Sequence, residues 1–209
     1  MNSLDKLNQE LTQAGTPAEP SCFGTTLTPI ETLVNRPVSA RPYVDILLKY
    51  LPISDNRTKE FIAIALTEKG LTTATQPLLD LFQHDPTLQE PQRWVVGRAL
   101  YVIDDPKSYP DILRICRERK YRSARAMLMH TMPKIRSEEA FDVLISCLDD
   151  PTVRADAIEA LGEFGDPRVI PHIRETQVTE GLREFEAKKT ALERLNSTMM
   201  SKRGTERSE

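Results

Sequence analysis

Apolar residues recur along this chain at helical spacing, and the stripes come in pairs. Ile62 and Leu66, Val96 and Leu100, Leu128 and Met132, and Ala157 and Leu161 stand four residues apart, the i, i+4 signature of one helix face. A second stripe follows each: Ala74, Leu78 and Phe82; Ser108, Ile112 and Cys116; Ala140, Leu144 and Leu148; Val169 and Ile173. Each pair predicts two short helices of about 11–14 residues, near the usual length in globular proteins. The pairs share one register. A basic residue precedes a small-then-large pair by six positions in every unit: Lys59 with Ala65-Leu66, Arg93 with Ala99-Leu100, Arg125 with Thr131-Met132, and Arg154 with Ala160-Leu161. Successive units are offset by 34, 32 and 29 residues. A period of this size is the mark of a repeat array, in which each hairpin buries its apolar face only by stacking on its neighbours.

Punctuation follows the same frame. Asp85-Pro86 and Asp150-Pro151 precede first helices, Asp105-Pro106 and Asp166-Pro167 precede second ones, and Ser137 holds that place in the third unit. Asp or Ser is expected to cap the helix start, with Pro at the first helical position. The pattern extends backwards through Leu33, Val34, Tyr43, Ile46, Leu47 and Tyr50, with proline turns at Arg36-Pro37 and Arg41-Pro42. It extends forwards to Ala191-Leu192, on a helix expected from about Thr179 to Leu195 that has no second partner and reads as a terminal cap. Three segments result: an N-terminal helix (Leu4, Leu7, Leu11) and linker over 1–24, a repeat domain over 25–195, and a polar tail over 196–209 expected to be disordered.

The run Asp150-Pro151-Thr152-Val153-Arg154, continued by Ala160-Leu161-Gly162-Glu163-Phe164-Gly165-Asp166-Pro167, resembles the short bacterial HEAT repeat, also called the PBS-lyase HEAT-like repeat. The other units share the basic position and the apolar frame but not the glycines. The resemblance implies an all-α fold, a right-handed α-solenoid of HEAT-like helical hairpins with about five units and terminal capping helices. Two repeats of similar period fit less well: the ankyrin T-P-L-H-x-A pattern is absent, and Trp94 lies in no tetratricopeptide context.

Composition narrows the function. The longest apolar run, Phe61 to Leu66, is far short of the ~20 residues of a membrane span. No secretory h-region follows the start, and Cys22, Cys116 and Cys147 form no Cys-x-x-Cys, so a reduced, cytoplasmic chain is expected. Net charge is −3, which excludes a globally basic nucleic-acid binder. That average conceals a strong polarity: Lys107 to Arg136 carries +7 and Ser137 to Glu186 carries −9.

The ladder Lys59, Arg93, Arg125 and Arg154 could hold a polyanion, but each member precedes a core position by three residues, and in the resembled family this arginine packs against turn aspartates as structural glue. Asp104-Asp105 and Asp149-Asp150 are neighbours at helix starts that do not face each other, so they make a poor acid–base dyad. His84, His130 and His172 have no zinc-ligand spacing. Cys116 and Cys147 fall on core positions of second helices, and only Cys22 reads as accessible. No phosphate loop or nucleophile elbow occurs. The expectation is therefore no catalytic residue, no metal and no cofactor.

In the resembled family the second helices line the concave surface, where Gln76, Asp80, Lys107, Asp111, Arg114, Glu139, Asp142, Arg168, His172 and Glu175 avoid the core. With the basic turn Arg117, Arg119, Lys120 and Arg122, the expected partner-binding set is Lys107, Asp111, Arg114, Arg117, Arg119, Lys120, Arg122, Asp142, His172 and Glu175. The function expected is a non-catalytic protein-binding scaffold or adaptor, with an inhibitor or immunity-type role equally compatible, and its partner a protein with an acidic surface. Two alternatives come from the resemblance: a bilin lyase or chromophore-handling enzyme, and a HEAT-like DNA glycosylase. The single Trp94 and the acidic C-terminal half count against nucleic acid.

Overall fold

A computed structural model describes residues 2–17, 19–21, 25–35 and 38–205, with side chains as far as Ser197. The expectations made for Cys22, for Arg36-Pro37 and for residues 206–209 lie outside the described residues. The chain is all-α among those described, apart from one isolated bridge between Pro20 and Thr26, and its helices pack as hairpins. It divides into two compact units, Met1–Ser108 and Tyr109–Glu209. That division falls inside the second of the four units, between Ser108 and Ile112 of its second stripe.

Unit 1 begins with α1 (Ser3–Gln13), opened by a capping box between Asn2 and Asp5. The fully buried Leu7 and Leu11 seat it on α2 (Pro29–Asn35) and α3 (Val44–Tyr50). Glu10 reinforces the seat by accepting from Lys49 Nζ at 2.6 Å and Tyr50 Oη at 2.8 Å. Then come α4 (Asn56–Ala65), capped by Asp55, and α5 (Thr75–His84). Unit 1 closes with α6 (Glu90–Ile103), a first helix of the frame that packs on both.

Unit 2 opens with α7 (Tyr109–Arg117). The expected basic turn is a 3-10 stretch over Arg119–Arg125, and the first helix that follows, expected to be continuous, is broken into α8 (Ala126–Met129) and α9 (Met132–Ile135). Pro133 explains the break after Met129, since proline lacks the amide proton and its ring collides with the carbonyl four residues back. Downstream lie α10 (Glu138–Cys147), capped by Ser137, then α11 (Arg154–Phe164), α12 (Val169–Glu175) and α13 (Arg183–Thr205). Within unit 2 first helices pack on first helices (α8 and α9 on α11, α11 on α13) and α7 packs on α10. α13 thus takes the seat of a following first helix. It starts four residues later than expected and runs ten residues past Leu195.

The paired apolar stripes of the four central units are buried, each residue at 6% exposure or less, whereas Val34, Ile46 and Leu192 in the outer extensions of the frame are only half-buried. The second helices are shorter than expected because a 3-10 turn opens them, as at Thr72–Ala74 and Pro106–Ser108. The two glycines of the motif are explained separately. A Cβ on Gly162 would lie 2.8 Å from Ala191 Cβ, so only glycine lets α11 and α13 approach this closely. Gly165 ends α11 in the left-handed conformation at φ +74°, which carries no penalty for glycine.

Candidate functional site

The turn aspartates do one job throughout the chain. In each Asp-Pro turn the amide two residues on donates to Asp Oδ1: Thr87 to Asp85 at 2.8 Å, Lys107 to Asp105 at 3.0 Å, Thr152 to Asp150 at 3.0 Å and Arg168 to Asp166 at 2.9 Å. This corrects the expectation that Asp85 and Asp150 cap first helices. α6 starts only at Glu90, behind Gln89, and α11 behind Val153, neither with a side-chain cap. Asp85 and Asp150 instead close local turns of the kind short polar side chains favour, and in both a threonine hydroxyl joins, Thr87 at 2.7 Å and Thr152 at 2.6 Å.

The spare Oδ2 of these aspartates meets the basic ladder. Lys59 Nζ donates to Asp85 at 2.6 Å, and Arg125 Nη2 donates to Asp150, both cations being buried. Burial pushes the Asp85 carboxyl up, but hydrogen bonds from Lys59 and Thr87 outweigh it and hold its pKa at about 2. Asp150 is held below its usual value despite burial by Thr152 and by the charges of Arg125 and Arg119. The arginines also satisfy carbonyls left open at the end of the preceding second helix, where a cation suits the helix dipole. Arg93 reaches Phe82 and Asp85 at 2.8 Å, Arg125 reaches Cys116, and Arg154 reaches Leu148 at 2.7 Å. Arg154 then pairs with Glu184 at 3.0 Å rather than with a turn aspartate. Cys116 and Cys147 are buried beside Arg125, and burial raises both thiols, which disfavours the reactive thiolate.

The ten positions expected to bind a partner divide between the units. Lys107 is exposed on the 3-10 turn of unit 1. Unit 2 carries the rest. On α7, Arg114 pairs with Asp111 at 2.5 Å, and Arg117 reaches across to Glu139 on α10 at 2.7 Å. Asp142, His172 and Glu175 are exposed on α10 and α12. Arg168, expected on the same face, is bound by Asp166 and by Glu138 at 2.8 Å and lies 4.6 Å over the Phe141 ring. The basic and acidic stretches therefore partly neutralise each other inside unit 2, through Arg117–Glu139 and Arg125–Asp150.

A protruding basic turn remains. Between Glu118 and Arg125, Tyr121 is buried while Arg119, Lys120 and Arg122 are exposed around it. Lys120 pairs with Glu118 and sits 4.7 Å over the Tyr121 ring. Arg122 is held at φ 47°, ψ −133°, a conformation costly for any residue with a Cβ.

Two further features escaped sequence reasoning. In unit 1 a groove of about 580 Å³ is walled by Leu48, Leu51, Pro77 and Leu81, with the Lys59–Asp85 pair among its lining. In unit 2 the break between α8 and α9 turns His130 towards Asp156 and Glu159 of α11, residues 26 and 29 positions away that no linear motif joins to it. No helix among the described residues is long and apolar enough to cross a membrane.

The family model of HEAT repeats matches residues 110–184, from α7 to the start of α13, the stretch with the fullest motif. No curated protein matches the chain.

Proposed function

We propose that this chain is a non-catalytic protein-binding scaffold, and that it meets an acidic protein surface through the basic turn of unit 2. The observation that carries this reading is the turn itself. Tyr121 anchors it in the core, the strained Arg122 backbone fixes its shape, and Arg119, Lys120 and Arg122 are left in water. Strained backbone persists only where the surroundings impose it, and it concentrates at functional sites. Three cations on a fixed turn, continued by Arg114 and Arg117 along α7, form a patch that steers an acidic partner and sets register. HEAT repeats over 110–184 suit such a role, because helical arrays present extended surfaces for recognition.

The internal pairs sharpen which residues matter. Arg114 and Arg117 already have carboxylate partners, so a ligand would have to exchange those pairs. Arg119, Lys120 and Arg122, exposed together on the turn, form the core of the proposed surface, with Asp142, His172 and Glu175 at its rim. The subtype of repeat, the cytoplasmic setting and an adaptor role belong to this same proposal.

The test is charge reversal. Proteins retained by the immobilised chain are identified by mass spectrometry beside Arg119→Glu/Lys120→Glu/Arg122→Glu, with Arg57→Glu/Lys69→Glu in unit 1 as control. A partner lost on the triple variant and with rising salt, but kept on the control, supports the surface. Equal retention on all three proteins overturns it. A pigment on the purified chain, or tight salt-sensitive binding of duplex DNA, would favour the enzymatic alternatives instead.

A further inference from the structure

The proline-induced break between α8 and α9 leaves His130 pointing at α11. Its Nε2 lies 3.5 Å from Asp156 Oδ1 and 3.8 Å from Glu159 Oε2, and the three ligand atoms fall within 4.8 Å of one another. Asp156 and Glu159 share a face of α11 at i, i+3. Asp156 is nearly buried, His130 partly so, and Glu159 is a third exposed. A groove of about 300 Å³ lined by Glu159, Glu163, Glu186 and Arg194 adjoins them.

These separations are informative. A strong N–H···O bond spans about 2.7–3.2 Å. Two ligands of a tetrahedral zinc ion, bonded at about 2.0–2.2 Å, stand about 3.4 Å apart. The His130–Asp156 contact is thus a long hydrogen bond, and both imidazole–carboxylate separations lie close to the spacing of ligands around one shared cation. A cationic group already occupies the position: Arg183, the first residue of α13, donates to Asp156 at 2.8 and 3.1 Å and to Glu159 at 2.9 Å. That arginine is itself 59% exposed, so its guanidinium exchanges readily between these carboxylates and water.

We propose that His130, Asp156 and Glu159 form a binding site for a divalent transition-metal ion of the zinc class, with Arg183 as the competing internal cation. One imidazole nitrogen with two carboxylate oxygens suits zinc better than calcium or magnesium, which favour all-oxygen shells. Three protein ligands would leave a fourth position for water. The metal would join the α8–α9 break directly to α11 and release the contact that Arg183 makes from α13. This site is independent of the basic turn.

Calorimetric titration of the chelator-treated full-length chain with zinc chloride, in a non-coordinating buffer, tests the proposal. One ion per chain is expected, with a rise in melting temperature. His130→Ala and Glu159→Gln should each weaken binding at least about 10-fold, whereas His84→Ala/His172→Ala should not. Arg183→Ala should tighten binding, an effect that a merely structural role for the cluster would not produce. Circular dichroism establishes that the variants fold, and the partly exposed Glu159 supplies the answer if His130→Ala does not. Absence of one-to-one binding, binding indifferent to Glu159→Gln, or weaker binding in Arg183→Ala would overturn the assignment.

Discussion

Units 1 and 2 each contain one buried cation bound to one turn aspartate, and the two versions differ in how much they hold together. In unit 1 Lys59 gives Asp85 a single short bond and reaches Thr87 only at 3.4 Å. In unit 2 Arg125 binds Asp150 and the Cys116 carbonyl at once, with Cys147 Sγ 3.7 Å away and the Arg122 carbonyl at 3.3 Å. An ammonium acts as a point charge, whereas the guanidinium fork spans several acceptors. The same position in the repeat is thus a local pin in one unit and a junction of four chain segments in the other. It follows that the hairpins of unit 2 depend on one side chain more than those of unit 1 do.

The largest expected effect tests that dependence. Arg125→Met should lower the unfolding free energy by about 3–5 kcal/mol, because it strands a buried carboxylate and several carbonyls. Lys59→Met should cost about 1–3 kcal/mol, since Lys59 satisfies no helix-end carbonyl and Asp85 is somewhat more open to water than Asp150. Urea unfolding of both variants decides it, and equal losses would abolish the distinction. Next in size is Gly162→Ala, expected to cost about 1–3 kcal/mol through overpacking against Ala191. Its signature is local: amide exchange should accelerate in α11 and α13 while α4 and α5 keep their protection. The smallest effect concerns acid. The Asp85 carboxyl titrates at about 2 in the folded chain, below the ~4 of an unfolded aspartate. Its pairing therefore stabilises the fold above about pH 4, and the benefit disappears as pH falls towards 2. Asp85→Asn should flatten that part of the melting-temperature profile, and an unchanged slope would show that Asp85 is not its source.

The repeat frame was legible in the sequence because periodicity reports burial directly. Ile62, Leu100, Leu144 and Ile173 were assigned to the core from spacing alone, and all are buried. What escaped was the use made of side chains with two functional ends. Asp85 and Asp150 carry the composition of a helix cap, yet their oxygens close a turn and bind a cation, a choice fixed by chain segments 25 or more residues away. The polarity between 107–136 and 137–186 was real in sequence, but Arg117–Glu139 and Arg125–Asp150 consume part of it inside unit 2. His130 has no ligand spacing along the chain itself. Its neighbours come from the following repeat, brought close by a helix break that Pro133 could have signalled.

The seat of α13 on α11 bears on how such an array can grow. Each hairpin offers its successor a face shaped for another first helix, and a bare face of that kind invites a second molecule as readily as the next repeat. With Ala187, Ala191 and Leu195 buried there and Gly162 closing the gap, α13 works as a chain terminator in the polymer chemist's sense. It quenches the growing end, and adding a repeat after α12 would first require displacing it.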